Sequence, residues 1–363
     1  MLITGGAGFI GSNYVHYVVE THPEYEVFVL DKLTYAGNRE NLKLIEGKYQ
    51  FIKMDLADYD ALDTLFSEHN FDYVVHFAAE SHVDRSIANP QPFVEANITG
   101  THNILRCLRK YGTPRYHHVS TDEVYGDLGE GSTDFFHEDT PLTPHCPYAA
   151  TKACSDLMVM SYYHTYKLPI TISRCTNNYG PYQFPEKAVP LFILTHLQGN
   201  KITLHGQGQH IRDWLFVRDH CIAIDLILHS DKHGEVYNIG GHNEHSTKDI
   251  ARIILRELGM SDDEIEQRFV YITDREANDM RYAMAPDKIM KELGWQPTVP
   301  FEEGIKYTIQ WYKNNQEWMY NIFHKEKDKY SSRFDMEKIS QELGKVDGAV
   351  PNFLDKFTYS HEK

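Results

Sequence analysis

The chain has 363 residues, with 36 Lys and Arg against 52 Asp and Glu, a formal net charge of −16. So acidic a surface repels a phosphate backbone and weighs against nucleic acid as a partner, while a hydrophobic fraction of 41% is enough for a sizeable core. Cys107, Cys146, Cys154, Cys175 and Cys221 are scattered without metal-ligand spacing, which argues against a disulfide framework or a zinc site and fits a reducing cytoplasm.

The N-terminus carries no basic stretch leading into an apolar core, and no apolar run approaches the roughly 20 residues that span a bilayer. These features predict a soluble, cytoplasmic protein with no metal and no membrane partner.

In chain order, Leu2-Ile3-Thr4 reads as a strand end and Ser12 to Glu20 as a helix. Glu26 to Leu30 and Tyr49 to Lys53 read as strands, Ala61 to His69 as a helix, and Tyr73 to Ala78 as a buried strand. A long helix from Pro92 to Tyr111, a strand from Tyr116 to Ser120, a helix from Tyr148 to Tyr166 and a strand from Ile170 to Arg174 follow. This alternation predicts parallel strands with helical crossovers, an α/β fold with a doubly wound, mostly parallel sheet of Rossmann type.

After Asn177 glycine, proline and aromatic residues interleave irregularly, which predicts a smaller substrate-binding domain, with one return to the sheet near Val236 to Gly240. The expected division is 1–176, with 212–242 returning, for the dinucleotide domain, and 177–211 with 243–323 for the second. Residues 324–363 read as a charged, solvated extension.

Gly5, Gly8 and Gly11 lie between the first strand and its helix at G-x-x-G-x-x-G spacing. The first permits a tight turn, the second lets a pyrophosphate approach the backbone, and the third lets helix and strand pack closely. The free N–H groups of the helix N-terminus then face the anion. Asp31 ends the second strand, where a carboxylate binds ribose hydroxyls and repels a 2′-phosphate, so NAD is expected over NADP. Asp55 could meet the adenine, and the small residues of Phe77-Ala78-Ala79 would let a cofactor cross the sheet edge.

Tyr148 and Lys152 stand one helical turn apart on one face. A tyrosine of ordinary pKa is a poor base at neutral pH, but a nearby ammonium and an oxidised nicotinamide both favour the phenolate. Ser120 and Thr121 add hydroxyls at the end of the preceding strand. Asp122 and Glu123 follow directly, at a strand end where ligands of open α/β sheets bind. Adjacent carboxylates in different environments can divide the roles of acid and base.

These residues resemble the dTDP-glucose 4,6-dehydratases, in the extended short-chain dehydrogenase/reductase group. The resemblance is carried by Thr121 to Gly126, Tyr148 with Lys152, Asn177 to Lys187, Ala79 to Ser86 and Arg212-Asp213-Trp214, and runs from Leu2 to about Trp318. It implies that Tyr148 deprotonates the glucose 4-hydroxyl, Glu123 removes the C5 proton and Asp122 protonates the departing C6 hydroxyl.

By the same resemblance Thr121 bonds the 4-position and Lys152 holds the nicotinamide ribose. Phe9, Ile10, Lys32, Thr34, Leu56 and Asn178 would join the cofactor-binding set. Ser81, Asn177, Lys187, Arg212, Arg275 and Asn278 would contact the sugar nucleotide. A homodimer built on the helices Pro92 to Tyr111 and Tyr148 to Tyr166 is also implied.

The sequence departs from the family pattern in three places. Its first strand is two or three residues shorter, and Thr247 replaces a common Asn. Asp274-Arg275-Glu276-Ala277-Asn278 stands where Asp-Arg-Pro-Gly-His is usual. Asn278 is similar to UDP-glucose dehydratases, which keeps UDP-glucose as an alternative substrate. A 4-epimerase needs the Tyr–Lys pair but not Asp122 and Glu123. A non-catalytic NAD-binding sensor should have lost Tyr148, Lys152 or Glu123.

Overall fold

The computed structural model describes residues 1–112, 115–274, 277–325 and 335–345. Seven strands form the main sheet: β1 (Leu2–Thr4), β2 (Phe28–Asp31), β3 (Gln50–Lys53), β4 (Tyr73–His76), β5 (Arg115–Thr121), β6 (Ile170–Cys175) and β10 (Glu235–Ile239). Their spatial order is β10-β6-β5-β4-β1-β2-β3, every neighbouring pair parallel. The chain winds outward from β1 to β3, then returns to β4 on the other side. The crevice between β1 and β4 is therefore the topological switch point where such sheets bind ligands.

Period-2 alternation divides the strand residues between the two faces. Leu2, Phe28 and Val74 join one apolar cluster with helices α2 (Tyr59–Glu68), α5 (Thr101–Tyr111) and α6 (Pro147–Tyr166). Their neighbours Ile3, Val29 and Val75 join the opposite cluster with α1 (Phe9–Thr21) and α8 (Val217–His229). The first strand, though short, is paired on both sides: Leu2 faces Phe28 in β2 and Val74 in β4.

Element types follow the sequence reading, and the boundaries move by a few residues. The first helix begins at Phe9 rather than Ser12, because the glycine turn is itself its first turn, with Ser12 N donating to Gly8 O at 2.9 Å. The long helix expected from Pro92 to Tyr111 is not uniform. A short α4 (Gln91–Phe93) passes through a π-helical segment, Val94–Gly100, before α5. Single π-turns within helices are frequent at functional sites.

Beyond Asn177 a three-stranded sheet joins β7 (Asn177–Tyr179), β9 (Ile211–Phe216) and β11 (Glu244–Ser246), and β8 (Ile202–His205) pairs with β12 (Phe269–Ile272). Helices α7 (Ala188–Leu197), α9 (Thr247–Glu257) and α12 (Phe301–Asn314) pack over them around Phe192, Ile193, Ile254, Phe301, Ile305 and Trp311. In the C-terminal segment expected to be solvated, Met336–Lys345 is helical and Ile339 is buried in this same core. No helix among the described residues is long and apolar enough to cross a membrane.

Candidate active site

A cavity of about 350 Å³ opens at the switch point. Its floor is the glycine turn. Gly5 adopts φ +69°, and a Cβ there would lie 2.5 Å from Ala78 N. At Gly11 a Cβ would lie 2.2 Å from Gly5 O, so only glycine lets α1 approach the turn this closely. The resulting cradle suits a diphosphate lying across backbone N–H groups.

Asp31, at the end of β2, closes the second edge. Its carboxylate accepts from Ala7 N at 3.0 Å and Leu33 N at 2.7 Å, which holds the glycine turn to β2. Asp31 also lines the cavity, where a carboxylate can accept from ribose hydroxyls. Lys32 Nζ lies 2.5 Å from Asp55 Oδ2. Burial pushes the Asp55 carboxyl up, but the Lys32 ammonium and the Ala57 N–H outweigh it and hold the group below its ordinary range.

The reacting groups come from β5 and α6. Thr121 Oγ1 donates to Asp122 Oδ1 at 3.1 Å and accepts from Glu123 N at 3.3 Å, so one hydroxyl fixes the start of the acidic turn. Asp122 is 2% exposed and its Oδ2 has no hydrogen-bond partner among the described residues. Burial first, and the neighbouring Glu123 second, raise its carboxyl to about 7. Cys146, the N-cap of α6, directs its thiol toward Glu123 Oε2 at 3.9 Å.

The Tyr148 phenol is held well above its ordinary value by burial and by the Glu123 charge, so it rests protonated. Lys152, expected to favour the phenolate, donates to Val119 O at 2.8 Å, with His118 Nε2 at 3.5 Å. Burial lowers its own pKa to about 8.

The π-helical segment ties the walls together. Asn97 Nδ2 donates to Thr151 Oγ1 on α6 at 2.9 Å and to Glu80 O at 3.0 Å, and its Oδ1 accepts from Glu80 N at 2.8 Å. One side chain thus joins the Ala79-Glu80 turn to the helix bearing Tyr148 and Lys152.

Among the expected site residues, Gly5, Gly8, Phe9, Ile10, Gly11, Asp31, Lys32, Thr34, Asp55, Leu56, Phe77, Ala78, Ala79, Ser81, Thr121, Asp122, Glu123, Tyr148, Lys152, Asn177, Asn178 and Lys187 all line the cavity. Arg212 and Asn278 do not. Arg212 donates to Ile211 O at 2.7 Å and Asp279 O at 2.8 Å, with its guanidinium 4.2 Å from the Tyr282 ring centroid. Its charge nevertheless acts on Asp122, lowering that carboxyl. Asn278 Nδ2 donates to Asp274 Oδ1 at 2.6 Å and lies 3.1 Å from His210 Nε2. Arg275 lies outside the described residues.

A family model described as GDP-mannose 4,6 dehydratase matches residues 2–308. A dTDP-glucose 4,6-dehydratase of Escherichia coli is 45% identical over 347 residues, covering 89% of this chain and 96% of its own length. The chain belongs to the dTDP-glucose 4,6-dehydratase family. The solved dTDP-glucose 4,6-dehydratase of Bacillus anthracis, in complex with NAD, has a TM-score of 0.81 at 43% identity, covering 88% of this chain and 98% of that one. That of Streptomyces venezuelae, also with NAD bound, has a TM-score of 0.83 at 42% identity, covering 88% and 99%.

Within this dehydratase family site, several further residues line the cavity: Tyr35, Glu80, Glu95, Gln183 and Glu186. Gln183 and Glu186 lay inside the Asn177–Lys187 motif, so their neighbourhood was visible. Tyr35 follows β2 in an irregular turn, where no periodicity marks it. It is placed by the Arg85 guanidinium, 3.5 Å from its ring centroid, and Arg85 in turn reaches Glu186 Oε2 at 3.5 Å. Glu95 falls in a stretch whose sequence reads as a plain helix, and the π-helical turn determines which side chains of that segment reach the cavity.

Proposed function

We propose that this chain dehydrates dTDP-glucose to dTDP-4-keto-6-deoxyglucose, with NAD as a cofactor regenerated in each turnover. The glycine cradle, the Asp31 carboxylate and the small residues Ala78 and Ala79 fit that cofactor. When bound, NAD supplies the hydride acceptor for oxidation at C4 and the donor for the later reduction at C6.

The residues of the chain manage the protons. Tyr148, protonated in the site as it stands and favoured as phenolate once an oxidised nicotinamide is bound, takes the proton of the 4-hydroxyl as C4 becomes a ketone, and Thr121 holds that oxygen. The ketone acidifies C5–H, and Glu123 takes the proton. Asp122 gives a proton to the C6 hydroxyl, which leaves as water as the C5–C6 double bond forms. Glu123 returns its proton to C5 when C6 is reduced. The proton gained by Tyr148 is released and Asp122 is reprotonated through solvent, so the net change is loss of one water.

The observation that carries this reading is the Asp122–Glu123 pair. A buried carboxyl raised to about 7, with an unpartnered oxygen, can hold a proton at neutral pH and release it to a leaving hydroxyl. A 4-epimerase has no such step to perform, and a sensor would need none of these groups.

Lys187, whose Nζ is 3.4 Å from Ser81 O, and Arg212 supply positive charge for the diphosphate. A homodimer through the π-interrupted helix and α6 is supported by exposed apolar side chains there, Val94 at 39% and Leu157 at 62%. Residence in the cytoplasm is supported by five cysteines that all remain free thiols.

The test is turnover of dTDP-glucose and UDP-glucose in parallel, in deuterated water, followed by NMR or mass spectrometry. Loss of water from dTDP-glucose with deuterium at C5 is expected. Preference for UDP-glucose would overturn the base assignment, and no dehydration of either despite bound NAD would overturn the reaction.

A further inference from the structure

At the end of α1 remote from the glycine turn, His22, Asp225 and His229 converge, with one donor atom of each within 4.8 Å of the others. His22 is the C-cap of α1, while Asp225 and His229 are one turn apart at the end of α8. His22 Nε2 lies 3.0 Å from Asp225 Oδ1, and His229 Nδ1 lies 3.2 Å from the same oxygen. Donors about 2.0–2.2 Å from a tetrahedral ion stand roughly 3.3 Å apart. Two edges of such a shell are thus already near their final length.

The outward nitrogens of both rings also face oxygens. His22 Nδ1 is 3.7 Å from Glu24 Oε1, and His229 Nε2 is 2.9 Å from the Tyr25 hydroxyl. A histidine ligand is oriented by an acceptor on its second nitrogen, which fixes the tautomer and directs the lone pair at the metal. The Tyr25 oxygen can accept from Nε2–H of His229, while Glu24, too far for a hydrogen bond, places a negative charge beside Nδ1 of His22. On binding, His229 Nδ1 would exchange its 2.9 Å contact with Asp225 O for the ion.

We propose that His22, Asp225 and His229 bind one divalent transition-metal ion of the zinc class, water completing the shell. Imidazole and carboxylate donors suit zinc and its neighbours better than calcium or magnesium. The ion would clip the end of α1, the helix whose other end forms the cofactor cradle about 20 Å away, to the end of α8. It takes no part in the sugar chemistry.

The experiment uses the full chain without an affinity tag, stripped with a chelator and dialysed. Zinc is titrated by calorimetry, and cobalt is substituted so that its d–d absorption reports imidazole coordination. One equivalent should bind, and zinc at a hundredfold excess over Kd should raise Tm by about 4 °C. The doubly substituted His22→Gln, His229→Gln chain should lose binding and the cobalt band while keeping dTDP-glucose turnover within about twofold. Were the double variant not to fold, His22→Gln alone, at a surface helix end, should lose the same signals. Absence of stoichiometric binding, or equal binding by wild type and variant, would overturn the proposal.

Discussion

The two walls of the site are built on different principles. The cofactor wall is made of parallel strand ends: Gly5 after β1, Asp31 closing β2, Ala78 after β4, Thr121 closing β5. Parallel pairing brings these positions to one edge whatever the loops do, and every expected residue there lines the cavity. The proposed substrate wall draws on Arg212 of β9 and on Asn278, neither of which lines the cavity. There Arg212 is engaged on the carbonyls of Ile211 and Asp279, and Asn278 is held by Asp274 and His210. A sheet edge preorganises its groups, whereas the other wall satisfies its polar groups internally and must exchange those bonds for a ligand's.

The comparison breaks most severely at the reacting carboxylates. Glu123→Gln keeps the shape of the acidic turn but cannot take the C5 proton. It should lower kcat by about 10³–10⁴, near the upper end of what a positioned base contributes. Single-turnover kinetics should show C4 oxidation persisting without deuterium entering C5. Retained C5 exchange would place the base elsewhere. Tyr148→Phe should show the reverse pattern, with oxidation lost at the outset.

Asp122→Asn comes next, at about 10²-fold in kcat, because water is a poor substitute acid. The sign of its pH effect follows from the raised pKa, about 7. The acid form needed for elimination is lost as pH rises through 7, so the wild-type rate should fall on the alkaline side and Asp122→Asn should lack that limb. Stability follows the same sign. The neutral buried carboxyl contributes fully below the ordinary carboxyl range, and that contribution is lost as pH rises toward 7. Asp122→Asn should therefore melt higher than wild type at pH 8, with a smaller difference at pH 5, as calorimetric scans at both pH values would show.

The legibility of the molecule in its sequence follows the same division. Short apolar runs such as Leu2-Ile3 and Val74-Val75, alternating with helical segments, are enough to place buried parallel strands, and glycine spacing at the start of a βαβ unit is enough to place the cradle. The π-turn at Val94–Gly100 was not visible, because its apolar pattern reads as a continuous α-helix. The resting state of Lys152 was not visible either. Tyr–Lys spacing places the two on one face, but the Val119 carbonyl that receives the ammonium comes from another strand. Arg212 was recognised by its motif, while its engagement with Asp279 O depends on a contact 67 residues away in sequence.

A milder test of the cofactor wall is Asp31→Ala. It removes the acceptors of Ala7 N and Leu33 N as well as those for ribose. Hydrogen bonds to a charged group are worth about 1.5–3 kcal/mol, so NAD affinity should fall roughly ten- to a hundredfold by fluorescence titration. NADP should gain relative to NAD as the repulsion of a 2′-phosphate is removed. Unchanged discrimination would mean that Asp31 serves only to hold the turn.

The smallest effect should come from the substrate wall and bears on the base. Asn278 Nδ2 bonds Asp274 Oδ1 at 2.6 Å, and His210 Nε2 lies 2.8 Å from Asp274 Oδ2, so Asp274 bridges the two. Asn278→Ala leaves that bridge with one arm and loosens the segment without touching the strand ends. The catalytic carboxylates should keep their geometry, so kcat should hold within about twofold while KM rises. If this segment borders the base, the preference for dTDP-glucose over UDP-glucose in kcat/KM should change by about tenfold, the scale at which a pocket senses one methyl group. A raised KM with an unchanged ratio would confine Asn278 to ordering the diphosphate side. A changed kcat would show that the two walls are coupled, and that the division between sheet edge and loop does not extend to the chemistry.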